Sequence, residues 1–179
     1  MSLAASDPIA MLEVDLNRLS ALTLAEITQI TPALDSAVTD DLVDANGHMS
    51  LPHYVTAATR AGWARKRRLG LDEALEQGIT FFVTEQHARY LGELVRDDHF
   101  TAHPRFLARS TRALHTITYI VDVTRQRLAC SIESVSVSVS KETRRSVDMT
   151  QTLADNLDAA IRHDAALPGS PSLCLGLWR

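Results

Sequence analysis

Thiol chemistry is nearly absent from this chain, which holds two cysteines, Cys130 and Cys174, far apart and without metal-ligand spacing. That excludes a disulfide framework and a cysteine zinc site, and it predicts buried or incidental thiols in a reducing compartment. An excess of positive charge is missing too. With 18 Lys and Arg against 22 Asp and Glu, and a net charge of -4, there is no basic field to make nucleic acid the main partner. No apolar run is long enough to cross a bilayer. The first residues carry Asp7, Glu13 and Asp15 where a secretory signal has a basic start and an apolar core. These absences together predict a cytoplasmic protein with neither a membrane nor nucleic acid as partner. Internal repeats, low-complexity segments and a second-domain linker are also lacking.

What is present is an ordinary globular composition of 45% hydrophobic and 22% charged residues over 179 positions, enough for one domain with a sizeable core. Ser6-Asp7-Pro8 reads as a helix start, and Ile9, Leu12, Leu16 and Leu19 follow at helical spacing. Residues 1–30 are thus expected to form an N-terminal helical extension and 31–179 a single domain. Within it, a strand is expected over Ala33–Thr39 and a long helix over Leu51–Leu69. On that helix Leu51, Tyr54, Val55, Ala58, Ala61 and Gly62 share a side. The cations Arg65 to Arg68 and then Gly70 close it. A short helical piece over Asp72–Glu76 precedes long strands.

In the first strand Ile79, Phe81, Val83, Glu85 and His87 alternate onto one face. Further strands are expected over His99–Ala108, Leu114–Thr124 and Ile132–Ser140. The last is the clearest, with Val135, Val137 and Val139 alternating with Ser134, Ser136 and Ser138. A helix over Thr150–His163 and an apolar tail over Leu173–Trp178, suited to docking on the core or on a neighbouring subunit, complete the chain. One long helix followed by consecutive strands is an α+β pattern, satisfied by a curved antiparallel sheet wrapped around a central helix.

The densest chemistry lies in Asp44-Ala45-Asn46-Gly47-His48-Met49, directly before the long helix. A carboxylate, an amide, a glycine and an imidazole crowd one turn where helix N–H groups lack intrahelical partners. Such donors hold an oxygen that becomes negative during a reaction. The same residues also suit a plain turn, with Gly47 supplying an unusual φ, Ser50 capping the helix and Pro52 in its first turn.

Glu85, His87, His115 and Glu133 fall on otherwise apolar strand faces, where burial is costly without partners. Two readings stand open for them: pairing inside the fold, or the lining of a pocket. No H-x-x-H spacing supports a metal, and none is expected. Two basic runs, Arg65–Arg68 and Lys141 with Arg144 and Arg145, are either solvated surface or attractors for the phosphates of a coenzyme. Trp63 is either core or a pocket wall.

The DANGHM string, His53-Tyr54 and a helix ending Arg68-Leu69-Gly70 resemble the hotdog-fold acyl-CoA thioesterases of the 4-hydroxybenzoyl-CoA thioesterase type. Residues Thr84 to Leu94, with Leu114-His115, Glu133, Arg144-Arg145 and the tail His163 to Pro168, are similar to the betainyl-CoA thioesterases of carnitine breakdown. Two positions depart: Thr59 stands where an acid is expected, and Ala45 replaces an aromatic. The lost acid argues for a different or broader acyl group than the cationic betaine.

The resemblance implies a hotdog fold and hydrolysis of a small acyl-CoA. Asp44 would then act as nucleophile or general base, with Asn46 and His48 orienting it, the water or the thioester. N–H groups near Met49–Leu51 would polarise the carbonyl. It further implies acyl contacts from Met49, Trp63, Phe81, Glu85, His87 and His115, and CoA contacts from Arg65, Arg68, Lys141 and Arg144. No cofactor is expected, since coenzyme A belongs to the substrate, and a homodimer or a dimer of dimers is. Two other functions stay open, an enoyl-CoA hydratase or dehydratase on the same fold and a non-catalytic acyl-CoA binding module.

Overall fold

The computed structural model describes residues 22–177, so the helix expected over Ile9–Leu19 and residue Trp178 lie outside the described residues. The order of elements is α1 (Leu24–Ile27), β1 (Leu34–Ala37), α2 (Leu51–Arg67), α3 (Leu71–Glu76), β2 (Ile79–Tyr90), β3 (His99–Arg109), β4 (Ala113–Asp122), β5 (Arg127–Ser140) and α4 (Gln151–Ala165). The five strands form one antiparallel sheet in the order β1-β3-β4-β5-β2. Strand β2, first of the long strands in sequence, is therefore an edge.

The long helix α2 lies on the concave face of this sheet. Pro52 sits in its first turn and cations fill its last, but Ser50 makes no side-chain cap bond. Tyr54, Ala57, Ala58 and Ala61 pack against Ala102, Ile120, Ala129, Cys130 and Ile132. Three alanines on one stripe let the helix approach the sheet closely. The Cys130 thiol is fully buried, and burial pushes its pKa up to about 12, which makes it inert. Helix α4 covers the rest of the concave side, where Phe106 and Leu114 meet Met149, Leu153 and Leu157. Asp164 latches it in place, accepting from Phe106 N–H at 2.7 Å and from Arg65 at 2.6 Å.

A β-bulge decides which residues face α2. Val83 pairs with Ser136, but Glu85 pairs with Val135, so Thr84 is an extra residue in β2. Its hydroxyl donates to the Val135 carbonyl at 3.1 Å. Before the bulge, Phe81 and Val83 share the concave face with Ser138 and Ser136; after it, Gln86, Ala88 and Tyr90 do. Strict alternation places Ile79, Phe81, Val83, Glu85 and His87 together; the bulge separates them and sends Glu85 and His87 to the convex face.

The serine row of β5 faces inward, with Ser136 4% and Ser138 0% exposed, while Val135 and its neighbours point outward. The convex face has its own cover. Leu22, Ile27 and Ile30 pack on Ile117, Tyr119 and Val121. His103 binds the Ile30 carbonyl through Nδ1 at 2.6 Å and Thr101 through Nε2 at 2.8 Å, and burial lowers its pKa.

Candidate active site

The Asp44 turn is held from within. Asp44 Oδ1 accepts from the Asn46 N–H at 2.8 Å, Asp44 N–H donates to the His48 carbonyl at 2.9 Å, and Gly47 N–H to the Asp44 carbonyl at 3.0 Å. Gly47 has φ +83°, which closes the turn in a backbone region that side chains disfavour. The turn is then pinned to the segment after β2, because Met49 N–H donates to the Leu94 carbonyl at 2.7 Å. Ser50 N–H is likewise taken, by the Leu42 carbonyl at 2.9 Å. Of the N–H groups expected near Met49–Leu51 to polarise a carbonyl, only that of Leu51 is left without a partner among the described residues. Leu51 is 59% exposed, because the first residue of α2 projects past the sheet.

These groups border a cleft of about 380 Å³ lined by Asp44, His48, Met49, Leu51, Tyr54, Tyr90, Leu91, Gly92 and Glu93. One oxygen of Asp44 is fixed in the turn, and Oδ2 has no protein partner among the described residues. His48 Nε2 lies 3.0 Å from Glu93 Oε2 across the cleft mouth, with both side chains about half exposed. Tyr54 accepts from the Leu94 N–H at 2.9 Å and meets Tyr90 edge to face at 5.5 Å. Burial raises the pKa of both phenols. Tyr54, Tyr90 and Glu93 were not singled out from the sequence as site residues. The only signal was their place in the two matching strings, since proximity to Asp44 arises from the end of β2 folding back over α2.

The other expected site residues scatter. Asn46 is exposed and does not border the cleft, whereas Met49 does. Phe81 is buried on the concave face beside Leu71 and Met149. Trp63 borders a second, smaller cavity further along α2, together with Lys66, Thr116, Thr118, Ser134 and Ser136.

Glu85, His87 and His115 sit on the convex face, the opposite side of the sheet from α2, so a shared pocket with Asp44 does not form within the chain. There His115 Nε2 is 2.7 Å from Glu133 Oε1, both groups nearly excluded from water. The tail closes over them: Cys174 N–H donates to Glu133 Oε2 at 2.7 Å and Leu175 N–H to Oε1 at 3.0 Å. Donor atoms of His87, Glu133 and Cys174 lie within 4.8 Å of one another. Both carboxylate oxygens already accept N–H bonds, and an Arg89 nitrogen donates to Cys174 Sγ at 2.9 Å. A guanidinium beside the sulfur opposes a second cation, so the cluster reads as a clasp for the tail.

Of the residues expected to meet CoA, Arg65 is spent internally. It pairs with Asp164, donates to the Pro104 carbonyl and lies over the Phe106 ring at 4.5 Å. Arg68 and Arg144 are exposed, and Lys141 donates to the Leu75 carbonyl at 2.8 Å. Lys141 and Arg144 lie beyond the Ile79–Ser140 end of the sheet. That is a whole strand, roughly 36 Å, from the Tyr90 end where the cleft opens.

A long helix wrapped by a curled antiparallel sheet, with a carboxylate turn at the helix N-terminus, defines a hotdog-fold protein of the thioesterase class. The family profile described as the thioesterase-like superfamily matches residues 38–157, two thirds of the chain, and the chain belongs to that family. Solved structures share the fold. One is a Staphylococcus aureus protein in complex with CoA, with TM-score 0.68 and 21% identity over 80% of this chain and 87% of that one. Another is a 1,4-dihydroxy-2-naphthoyl-CoA thioesterase from Synechocystis, with TM-score 0.61 and 12% identity over 70% and 93%. In sequence the chain is similar to the L-carnitine dehydrogenase/betainyl-CoA thioesterase of Ruegeria pomeroyi, 28% identical over 125 residues, which is 69% of this chain. The chain spans about a quarter of the length of that relative, 25%.

Proposed function

We propose that this chain is an acyl-CoA thioesterase that cleaves a small acyl-CoA to the free acid and CoA, with Asp44 as the catalytic carboxylate. One arrangement carries the reading: a carboxylate with one oxygen fixed and the other free, beside an unpaired helix N–H, in an open cleft. Asp44 Oδ2 attacks the thioester carbonyl or takes a proton from the attacking water. Leu51 N–H meets the oxygen that becomes negative, and a donor in that role contributes about 3 kcal/mol of transition-state stabilisation. His48, held by Glu93, orients the thioester at the mouth, and Asn46 holds Asp44 through its backbone N–H. Superfamily membership and the CoA chemistry named for the neighbours support the substrate class. Betainyl-CoA, the substrate named for the sequence relatives, is one acyl group to be tested.

The active form in this reading is a homodimer formed through β2. Among the described residues no strand pairs with the outer edge of β2, and Phe82, Val83 and Tyr90 are 61%, 42% and 42% exposed. Such an edge invites strand pairing. Antiparallel pairing of two β2 strands brings the Lys141, Arg144 and Arg68 end of one chain beside the Asp44 cleft of the other, within reach of CoA phosphates. The chain works where soluble acyl-CoAs are, in the cytoplasm.

The test is thiol release from short, long, aryl and betainyl acyl-CoAs by wild type and Asp44→Asn. Release that depends on Asp44 is expected. Full turnover by Asp44→Asn overturns the assignment. Tight binding without release points to a binding module, and loss of the ultraviolet band of an enoyl thioester points to a hydratase.

A further inference from the structure

Further along the seam between α2 and β2, a second cavity shares no lining residue with the Asp44 cleft. It is lined by Thr59, Gly62, Trp63 and Lys66 of α2, Val83 and Gln86 of β2, and Thr116, Thr118, Ser134 and Ser136 of the sheet. Tyr54 of the cleft and Ala58 of the cavity are one helical turn apart, about 6 Å. Five hydroxyls therefore border a small interior space. One more, Ser138 Oγ on the same inward row, is buried without a partner among the described residues. The cavity holds about 40 Å³, roughly the room of one carboxylate or of a water or two.

Lys66 is the charge at this place. It is only 8% exposed, and its ammonium has no ion pair or hydrogen bond among the described residues. Its ammonium lies over two ring faces, Trp63 at 5.3 Å and Phe81 at 4.8 Å. A buried cation without an anion is costly, and such groups are retained where something pairs with them. The same geometry bears on betaine. A quaternary ammonium is recognised by aromatic faces, and here Lys66 already occupies the faces of Trp63 and Phe81. A second cation would meet like charge.

We propose that the Lys66 cavity binds the anionic end of the acyl group, so that the preferred substrates are acyl-CoAs carrying a distal carboxylate. Lys66 pairs with that carboxylate, and the Thr116, Thr118 and Ser134 hydroxyls supply its remaining hydrogen bonds, while Ser136 Oγ already donates to the Leu114 carbonyl at 3.5 Å. This rests on the thioesterase reading and assigns the acyl class to it. Lys66 is a specificity residue and takes no part in bond cleavage.

Lys66 stands fifteen residues beyond Leu51 on α2, roughly 22 Å along the axis, so the experiment compares ω-carboxyacyl-CoAs of eight to twelve carbons with their methyl-terminated counterparts and with betainyl-CoA, using wild type, Lys66→Met and Thr118→Val. Wild type is expected to favour the carboxylate series by tenfold or more in kcat/KM. Lys66→Met should lose that preference through KM with kcat nearly unchanged, while the methyl-terminated substrates keep their rates. Thr118→Val, which leaves the charge in place, should lose a smaller part. An unchanged preference in Lys66→Met, or a wild type that favours betainyl-CoA, overturns the proposal. If no acyl-CoA is cleaved by any variant, the thioesterase reading fails while the anion site stays testable. Adipate is then titrated into Trp178→Phe protein and followed by Trp63 fluorescence. A saturable change that Lys66→Met abolishes supports the site, and no saturable change rejects it.

Discussion

His115–Glu133 and Lys66 lie on opposite faces of one sheet, and the fold treats them in opposite ways. On the convex face the carboxylate of Glu133 receives His115 and the N–H groups of Cys174 and Leu175, so every oxygen is satisfied. On the concave face Lys66 is also buried, at 8% exposed, and receives no anion from the described residues. A closed polar network specifies a structure, and here it fastens the tail to the sheet. An unanswered charge in a hydroxyl-lined cavity lowers stability and leaves binding capacity unused. The Asp44 turn resembles Lys66 in this respect, with one carboxylate oxygen committed to the turn and the other open to the cleft. The Glu133 cluster is closed, although the Tyr119 hydroxyl on the same face is buried without a partner among the described residues, and the seam along α2 is open at both places.

That contrast breaks if the seam residues prove structural or the convex pair proves catalytic. The largest effect is expected at Asp44. Asp44→Asn keeps the acceptor that closes the turn, and thiol release should fall about 10³-fold with an unchanged urea midpoint. Activity within a few-fold of wild type would place the chemistry elsewhere.

The convex pair should show the reverse. Glu133→Ala strands His115 and two tail N–H groups, so urea unfolding should report a loss of about 3 kcal/mol, with kcat per folded molecule unchanged. A catalytic loss in stable Glu133→Ala protein would return this face to the site.

Lys66 sharpens the contrast through the sign of its effect. Burial depresses its pKa to about 8 from 10.5. Below pH 8 both folded and unfolded chains carry the proton, and the folded state bears the full cost of the buried charge. Between pH 8 and 10.5 the unfolded chain binds a proton that the folded chain releases, so wild-type stability rises with pH. The cost corresponds to at most about 3 kcal/mol. Lys66→Met should therefore be more stable than wild type at pH 7, and the gap should close towards pH 10.5 in parallel urea titrations. A variant destabilised at every pH would mean that Lys66 supports the fold.

The smallest effect belongs to the turn itself. No heavy atom lies within 4 Å of a Cβ built on Gly47, so Gly47→Ala meets only the strain of φ +83°. It should lower stability by about 1 kcal/mol and reduce kcat more than the melting temperature suggests, because Asp44 is aimed by that turn.

Several elements were readable from residue patterns. The helix over Leu51–Arg67 followed from its alanine stripe and terminal cations, and the valine–serine alternation marked β5. The Asp44 turn announced itself through four chemically distinct residues in five positions. What periodicity could not give was the fate of each polar side chain. Thr84 carries no mark of an extra residue, yet it reverses the parity of β2 and parts Phe81 from Glu85 and His87. The alternation in β5 does not say which row faces α2; the serines do, and Ser134 and Ser136 line the cavity beside Lys66. Arg65 read as a coenzyme contact from its basic run, but Asp164, 99 residues later, claims it.

The sequence by itself thus determined the period of each element, the chemistry available and the turn in which Asp44 sits, because those depend on neighbours along the chain. Which face a residue occupies, and whether a buried charge finds a partner, was decided only by the tertiary structure. Those outcomes depend on strand register and on contacts between distant segments, where one bulge or one closing tail exchanges solvent for protein.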